Sequence, residues 1–397
     1  MIAGFNIKTI DDEKITNKRV IMRVDFNVSL SESGEITDDT RIIQALPTIN
    51  KLLQADNKLI LISHLGRPKE REEKFSLKLV ATRLEQLLSN YSVTLTHDLT
   101  PSDLKNIADQ SQNEIIVLEN IRFFKGEKEN DQAFAKQLAD LADIYVDDAF
   151  GTVHRSHASI VGIPKFIPGF AGLLLKKEIE MLSKVTKNPQ HPLVAILAGA
   201  KISTKIGLIS SLMKTSDFIL VGGGIANTFL KAQGVEIGKS LVEEDAIDMA
   251  KQMLTTFKST SCKLILPIDA ACGDLSNPST KPEIHPAAEV PSHLSFLDIG
   301  PESEKVFDNV IKQGKTIVWN GPIGLFENSS YRHGTDAIYN SIVSTQNAVT
   351  IAGGGDTLAA IAGKPDKDKI THISTGGGAM LEFIEKGTLP GIEALTV

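Results

Sequence analysis

Short runs of β-branched and other apolar residues alternate with helical stretches along nearly the whole chain, and this alternation limits the fold more than any other feature. In the first half the predicted strands are Val20–Val24, Leu59–Ser63, Val93–Thr96, Ile115–Glu119 and Ile144–Asp147, and the predicted helices are Arg41–Gln54, Leu77–Leu88 and Gln132–Asp140. In the second half the predicted strands are Leu193–Leu197, Phe218–Val221, Lys263–Leu266, Leu294–Asp298, Thr316–Trp319 and Val349–Ala352. This rhythm is typical of parallel sheets covered by helices, so we expect an α/β fold.

A single hydrophobic core is not expected to hold all 397 residues, because single cores stop growing near ~250–300 residues. A passage rich in proline and glycine at 163–169 is followed by an amphipathic stretch at 173–185 and by a second proline-containing passage at 187–192. We therefore predict a first domain at 1–172, a linker helix at 173–186 and a second domain at 187–379. The segment Gly169–Pro192 is the predicted hinge.

Composition excludes several classes of partner. The net charge of −7 argues against a general nucleic-acid binder, because phosphate backbones are held mainly by excess lysine and arginine. The longest apolar runs fall well short of the ~18 residues that cross a bilayer, and the N-terminus shows no secretory pattern. We expect a cytoplasmic protein with no nucleic-acid or membrane partner. Cys262 and Cys272 lack a neighbouring histidine or cysteine cluster and are interpreted as ordinary thiols.

Positive side chains recur where the strands of the first half end. The motifs are Arg23–Asn27, Ser63–Pro68, Leu118–Arg122 and Gly151–His157. Guanidinium groups bind phosphate and carboxylate oxygens in pairs, so several at one sheet edge suit a small ligand with two or more anionic groups. Each arginine taken alone could instead pair with a surface acid, but scattered surface pairs would have no reason to collect at strand ends.

Glycine-containing turns follow the strands of the second half. They are Ala198–Lys201, Val221–Gly224, Asn320–Gly324, Gly353–Thr357 and Ser374–Gly378. Glycine lets the backbone approach a phosphate closely, and free N–H groups at a helix start attract anions. This pattern favours a nucleotide site, with Asp356 as a possible Mg²⁺ ligand. A lone turn of this kind would more simply be a cap or a loop.

Other motif interpretations fail on spacing or context. Gly234–Ser240 resembles a P-loop but is one residue too short and follows a helical stretch. No G-x-G-x-x-G fingerprint opens a strand–turn–helix unit, which weakens a dehydrogenase interpretation, and no G-x-S-x-G elbow is present. His154 and His157 lack further ligands that would mark a metal pair.

Motifs in both halves resemble those of the phosphoglycerate kinase family in order and spacing, essentially from end to end. They are Arg23–Asn27, Ser63–Pro68, Leu118–Arg122, Asp148–Gly151, Gly199–Lys205, Val221–Gly224, Asp298–Pro301, Asn320–Glu327, Gly353–Thr357 and Ser374–Gly378. The resemblance implies two Rossmann-like three-layer domains with parallel sheets joined by a hinge helix. It also implies that the C-terminus, from about 380 to 397, returns to the N-terminal domain.

The resemblance further implies roles for individual residues. The substrate site for 3-phosphoglycerate or 1,3-bisphosphoglycerate would comprise Asp25, Phe26, Asn27, Arg41, His64, Leu65, Gly66, Arg67, Arg122 and Arg155. The site for ADP or ATP would comprise Lys205, Gly300, Asn320, Glu327, Gly354, Gly355, Asp356 and Thr357, with Mg²⁺ at Asp356. The catalytic residues would be Arg41, Lys201, Lys205 and Gly377.

The implied activity is reversible phosphoryl transfer from 1,3-bisphosphoglycerate to ADP by a monomer whose domains close around the ligands. The chain departs from the family pattern at Ser29, Asp147, Ala198 and Thr204. Thr204 replaces a frequent aspartate beside Lys205, which puts the rate in doubt rather than the reaction type. A nucleotide-binding protein of the same fold with weakened turnover is the main alternative, and a dehydrogenase or a surface-binding role are the others.

Overall fold

The chain divides into two units in the computed structural model, which describes residues 2–277 and 281–396. The first unit is Met1–Glu180 with Thr388–Val397, and the second is Met181–Gly387. Each unit contains a parallel sheet covered by helices, so the expected α/β class is confirmed.

The first unit is organised by a parallel sheet whose strands are almost entirely apolar. The strands of the unit are β1 (Arg19–Arg23), β2 (Ser29–Leu30), β3 (Ile36–Asp38), β4 (Lys58–Ile62), β5 (Ser92–Thr96), β6 (Glu114–Leu118), β7 (Ile144–Asp147) and β8 (Gly169–Ala171). Six of these described strands form the sheet in the order β5-β6-β4-β1-β7-β8, while β2 and β3 pair as a small antiparallel ribbon. Because Ile60 and Leu61 on opposite faces of β4 are both fully buried, helices must cover both faces.

Side chains cap the starts of some helices of the first unit. The helices are α1 (Thr40–Leu53), α2 (Lys78–Leu87), α3 (Pro101–Ala108), α4 (Lys125–Glu129) and α5 (Gln132–Ala139), and α6 (Leu173–Thr186) begins in this unit and ends in the second. Thr100 and Asp103 form a reciprocal capping box at the start of α3, and the Asp131 carboxylate accepts from the Phe134 N–H at the start of α5. The Asp148 carboxylate, at the end of β7, accepts from the N–H groups of Leu174 and Leu175 at 2.8 and 3.1 Å and thereby anchors the start of α6.

The second unit repeats the architecture with an added sheet. Its strands are β9 (Leu193–Ala198), β10 (Phe218–Gly222), β11 (Lys263–Ile265), β12 (Asp269–Gly273), β13 (Glu283–Pro286), β14 (Ser295–Ile299), β15 (Thr316–Asn320), β16 (Val349–Ala352) and β17 (His372–Ile373). Its helices are α7 (Ile206–Leu212), α8 (Gly223–Ala232), α9 (Ile247–Phe257), α10 (Pro301–Ile311), α11 (His333–Ser344), α12 (Gly355–Ala360) and α13 (Gly377–Lys386). The parallel sheet has the order β11-β10-β9-β15-β16-β17, and β13-β12-β14 form an antiparallel sheet.

One predicted strand belongs to a different sheet from the one expected. The run Leu294–Asp298 was assigned to the second parallel sheet, but β14 pairs antiparallel with β12. The partner strand was missed because its sequence, Asp-Ala-Ala-Cys-Gly, is poor in β-branched and aromatic residues. Its strand conformation comes from burial between neighbours, which local sequence does not encode.

The C-terminal segment returns to the first unit as helix α14 (Pro390–Ala394), as expected. The Gly391 N–H donates to the Val153 carbonyl at 2.8 Å, and Ile392 is fully buried. The return begins later than the predicted position near 380, because residues 381–387 lie with the second unit. There α13 packs on α7, and the Ser211 hydroxyl donates to the Ile384 carbonyl at 3.2 Å.

Within the described residues, none of the helices combines the length and the apolar character needed to cross a membrane.

Replacing Ile392 by alanine tests whether the C-terminal return stabilises the first unit. We expect Ile392→Ala to lower the free energy of unfolding of this unit by about 2–5 kcal/mol, because the variant loses a fully buried side chain and leaves a cavity. Hydrogen exchange of the amides of β7 and β8 measures the loss. The control Ile43→Ala removes a side chain that is 46% exposed in the same unit, and equal losses in the two variants would contradict the role assigned to α14.

Candidate active site

A group of basic side chains, here called the basic cluster, lies at the carboxyl edge of the first sheet and comprises Arg41, His64, Arg67, Arg122 and Arg155. His64 and Arg67 follow β4, Arg122 follows β6, and Arg155 follows β7, while Arg41 is in the first turn of α1. Parallel strands bring the ends of distant segments to the same edge, so this placement agrees with the sequence expectation.

The loop after β4 is held in position by polar contacts to its neighbours. The Gly66 N–H donates to Asn27 Oδ1 at 2.7 Å, and Arg122 Nη1 donates to the Gly66 carbonyl. Gly66 has a φ of +62°, and a Cβ at this position would lie 2.3 Å from the Phe75 ring. Glycine is therefore required here by both backbone conformation and space.

The arginines of the basic cluster repel one another. Burial, followed by the charges of Arg155 and Arg23, lowers the pKa of Arg122 to about 10. Burial and then the charge of Arg67 lower the pKa of Arg155 as well. Both groups still carry their charge at neutral pH, and their mutual repulsion would be relieved by a bound anion.

Three arginines of the cluster have no acidic partner. Among the described residues, no carboxylate forms an ion pair with Arg67, Arg122 or Arg155, and the buried Nε of Arg155 makes no hydrogen bond. Arg41 differs, because its Nη1 donates to Asp25 Oδ2. The arrangement suits a ligand that brings its own negative charge, rather than a network of internal salt bridges.

His64 is the neutral member of the cluster. It is 4% exposed, and burial, followed by the charges of Arg23, Arg122, Arg155 and Arg41, holds its pKa well below the ordinary value. It can therefore donate or accept a hydrogen bond without adding to the positive charge.

A pocket of about 730 Å³ opens at the carboxyl edge of the parallel sheet in the second unit. Its lining includes loops after β9, β15 and β16 and the start of α8. Apolar side chains form part of the wall, namely Leu241, Leu275, Phe296, Leu297 and Phe326. A pocket that combines apolar walls with glycine-rich backbone and a few polar groups is suited to a ligand with a flat apolar part and an anionic part.

Lys205 is the partly buried cation of this pocket. Its Nζ donates to Asn320 Oδ1, and Asn320 Nδ2 in turn donates to the Gly353 carbonyl at 2.7 Å. Burial lowers the pKa of Lys205 to about 8, and the nearby Asp356 opposes this shift. An anion in the pocket would favour the charged form of Lys205.

Two glycines allow a close approach of loops beside Lys205. Gly354 has a φ of +107°, and a Cβ there would lie 2.5 Å from Asn320 Nδ2. A Cβ on Gly377 would lie 2.9 Å from the Gly354 Cα. Gly377 therefore supports the loop that precedes α12, and it lies outside the pocket lining.

The pocket brings together most residues predicted for the nucleotide site. Lys205, Asn320, Glu327 and the segment Gly354–Thr357 line it, and so does Lys201, which is predicted as a catalytic residue. Gly300 does not line it, and a Cβ there would lie 2.3 Å from Asp269 Oδ2, the carboxylate that caps α10. Its assignment to the nucleotide site stays a prediction.

In the first unit, Phe26 and Leu65 are buried and their side chains belong to the core. Any role for Phe26 or Leu65 in the candidate site would fall to backbone groups. The Phe26 N–H itself donates to Ser63 Oγ at 2.8 Å.

Sequence reasoning missed the apolar wall of the pocket. Leu241, Leu275 and Phe296 come from a loop, a turn and a strand of the antiparallel sheet, and no spacing links them to the glycine-rich motifs. The sequence pattern also groups Arg23 with the strand-end cations, whereas this side chain is buried and only 1% exposed. An exposed apolar side chain, such as that of Leu241 with 56% of its surface exposed, is typical of a ligand-binding surface. Only the structure reveals this exposure.

A dedicated metal cage is not present in the described part of the chain, where no three histidine, cysteine or acidic side chains converge. Asp356 is exposed in the first turn of α12 and lines the pocket. A single carboxylate suits Mg²⁺, which commonly binds one or two protein carboxylates together with the phosphates of a ligand.

Known proteins match this chain across both of its units. A family model described as phosphoglycerate kinase matches residues 10–387. The phosphoglycerate kinase of Koribacter versatilis is 48% identical over 98% of both chains. The cytosolic phosphoglycerate kinase 3 of Arabidopsis thaliana is 44% identical over 100% of this chain and 99% of its own. The solved phosphoglycerate kinase of Coxiella burnetii has a TM-score of 0.90 at 42% identity, covering 98% of this chain and 99% of that chain.

The titration of Lys205 tests the electrostatics of the pocket. We expect its Nζ to titrate near pH 8, well below the ~10.4 of an ordinary lysine, because burial disfavours the charged form. NMR of ¹³Cε-labelled lysine, with Lys205→Met used to assign the resonance, measures the midpoint. Added pyrophosphate should raise this midpoint, and its affinity should fall as the pH rises through about 8. An unshifted midpoint in the free protein would contradict the expectation.

Proposed function

Because this chain belongs to the phosphoglycerate kinase family, we propose that its basic cluster binds 3-phosphoglycerate or 1,3-bisphosphoglycerate and that its pocket binds ADP or ATP. The chain is a kinase that transfers a phosphoryl group to and from the carboxyl group of 3-phosphoglycerate. The proposal concerns which of its residues hold each ligand.

The guanidinium groups of Arg67, Arg122 and Arg155, which form no ion pair with a described carboxylate, carry the assignment of the acid substrate. A phosphorylated glycerate has anionic groups at both ends, and it would supply the negative charge that the described carboxylates do not offer to these arginines. Asn27 and Asp25 would complete the site beside Arg41 and His64. The assignment predicts bidentate contacts to phosphate oxygens.

The nucleotide fits the second pocket by shape and chemistry. The apolar wall formed by Leu241, Leu275 and Phe296 would hold the base, and exposed Glu327 is suited to a ribose hydroxyl. Lys205 and the backbone of Gly354 and Gly355 would face the phosphates at the start of α12.

Asp356 would hold Mg²⁺ together with the phosphates of the nucleotide, because it is exposed and lines the pocket beside Lys205. The ion, when bound, neutralises part of the phosphate charge. Lys205 would contact the phosphates directly, and Asp356 would act on them through the ion.

The reaction needs charge stabilisation rather than proton transfer. In the direction that forms ATP, an ionised oxygen of the ADP β-phosphate attacks the acyl phosphate and the carboxylate of 3-phosphoglycerate leaves. In reverse, that carboxylate attacks the γ-phosphate of ATP. Both nucleophiles are ionised at neutral pH, so no general base is required. Arg41 and Lys201 are the side chains to which we assign stabilisation of the transferring phosphoryl group, and Lys205 supports the nucleotide phosphates.

The remaining assignments follow the family. We propose a monomer, as the family resemblance implies, and a cytoplasmic location like that of the cytosolic relative from Arabidopsis thaliana. Thr204 lines the pocket and its hydroxyl donates to the Lys201 carbonyl at 2.9 Å, so it supports the loop that presents Lys201.

Removing the two proposed charge-stabilising side chains tests the mechanism. In a coupled assay of ADP formation from ATP and 3-phosphoglycerate with Mg²⁺, we expect Arg41→Ala to lower kcat by ~10³–10⁵, the range for an arginine that stabilises phosphoryl transfer. Lys201→Ala should lower kcat in the same direction. The control Lys258→Ala removes an exposed lysine outside the pocket and should leave kcat unchanged. Near-normal kcat in Arg41→Ala would contradict the role of Arg41.

A second pair of variants tests which unit holds which ligand. Arg67→Ala should raise KM for 3-phosphoglycerate by ~10–100-fold, since one charge-assisted hydrogen bond is worth ~1.5–3 kcal/mol, and should leave KM for ATP nearly unchanged. Lys205→Ala should raise KM for ATP more than KM for 3-phosphoglycerate. The opposite pattern, or equal changes in both constants, would count against the assignment.

A further inference from the structure

We propose that Arg23 is a positioning residue that fixes the proton of His64 on Nε2, and that Glu127 and Ser159 hold Arg23 in place for this purpose. The part of the inference that concerns substrate rests on the proposed function of the basic cluster. The tautomer itself does not.

The contact between Arg23 and His64 determines the tautomer. Arg23 Nη2 lies 3.2 Å from His64 Nδ1, and both side chains are buried. A guanidinium group has only N–H donors, so Nδ1 must accept and cannot carry a proton. A neutral imidazole with a bare Nδ1 carries its proton on Nε2.

The charges around His64 oppose its protonation. The cations that act on it are Arg23, Arg122, Arg155 and Arg41, and each lowers its pKa in addition to the effect of burial. Asp25 is the acidic group that faces it, but Asp25 Oδ1 lies 3.8 Å from Nδ1, beyond hydrogen-bond distance. The imidazole is therefore neutral, with Nδ1 occupied by Arg23.

A buried polar network holds Arg23 itself. Arg23 Nη1 donates to Ser159 Oγ at 3.0 Å, and it lies 4.0 Å from Glu127 Oε1. Ser159 Oγ donates to Glu127 Oε1 at 2.7 Å, and the Ser159 N–H donates to Glu127 Oε2 at 2.9 Å. An isolated buried guanidinium would be very costly, so the Glu127 carboxylate is what makes a buried Arg23 possible.

Glu127 is ionised in this setting. Burial alone would raise its pKa, but the hydrogen bond from His157, the charge of Arg23 and the bonds from Ser159 together lower the pKa below its ordinary value. Glu127 lies in α4 and Ser159 lies in the segment after Arg155, so two separate segments fix the guanidinium group of Arg23.

This network makes His64 a neutral hydrogen-bond donor within the basic cluster, with its N–H group at Nε2. With Nδ1 bonded to Arg23, the Nε2–H group of His64 is left to donate to an oxygen of the anionic substrate. The other tautomer would place an N–H group against a guanidinium and would offer the substrate an acceptor. Arg23 thus acts on binding through His64 rather than by touching the ligand, from which its burial separates it.

The protonation state of His64 is the first test, and it needs no substrate. Long-range ¹H–¹⁵N correlation of the wild-type protein, with His64→Gln used for assignment, should show a protonated Nε2 and an unprotonated Nδ1 throughout the range from about pH 6 to 8. A proton on Nδ1, or a charged imidazole in this range, would overturn the proposal even if the enzyme is fully active. The expected tautomer in a protein without kinase activity would leave this inference intact and remove only the proposed function.

Substitutions of Arg23 form the second test. In Arg23→Met/Glu127→Gln, both members of the Arg23–Glu127 charge pair are removed together, so that neither of these two charges is left without the other. We expect mixed His64 tautomers and a rise of about 10-fold in KM for 3-phosphoglycerate, with KM for ATP changed less than about 2-fold. Arg23→Lys keeps a donor and should retain both the Nε2 proton and a KM closer to that of the wild type.

A purely structural role for the network would give a different pattern. It would change both KM values together or lower stability without altering the His64 tautomer. Ser159→Ala is a milder variant that keeps both charges, so it remains informative if the double variant does not fold. We expect it to shift the tautomer ratio and KM for 3-phosphoglycerate in the same direction, and an unchanged ratio with an unchanged KM in a folded Ser159→Ala protein would contradict the proposal.

Discussion

The central strands of both parallel sheets are buried on both faces, and Val20, Leu61 and Ala195 are fully hidden from solvent. Helices that cover both faces leave little of these sheets free for ligand chemistry except at their ends. Parallel connections bring the carboxyl ends of distant strands to one edge, and the loops and helix starts that follow meet there. The basic cluster lies at the carboxyl edge of the sheet in the first unit, and the pocket lies at the carboxyl edge of the sheet in the second unit.

The two units share this architecture but provide for an anionic ligand in different ways. The first unit concentrates guanidinium groups, three of which form no ion pair with a described carboxylate, and burial followed by the repulsion among them lowers the pKa values of Arg122 and Arg155. The second unit relies on close backbone approach at Gly354 and on one partly buried lysine, Lys205. A small ligand with two anionic ends suits the first arrangement, and a ligand that combines an apolar base with phosphates suits the second.

Positive charge at the edge of the first sheet requires compensation beneath it. Arg23 is buried under the cluster and would be costly alone, but the Glu127 carboxylate balances its charge and the Ser159 hydroxyl accepts a hydrogen bond from its Nη1. The same buried pair holds Arg23 Nη2 against His64 Nδ1, so that the N–H group of His64 at Nε2 is left for the ligand. Stability and binding are therefore coupled through one guanidinium group.

The parallel α/β class, the positions of most strands, the strand-end cations and the glycine-rich turns can all be predicted from the sequence, because each depends on local periodicity or on residue type at a strand end. The sequence could not place β14 in the antiparallel sheet or find β12, since strand pairing is decided by contacts between distant segments. Nor could it distinguish buried Arg23 from exposed Arg67, because both are arginines next to apolar strands. The apolar wall formed by Leu241, Leu275 and Phe296 has no common spacing, and only the tertiary structure brings it beside Lys205. Burial and the partner of each charge are properties of the whole fold, and they decide which predicted residues face a ligand.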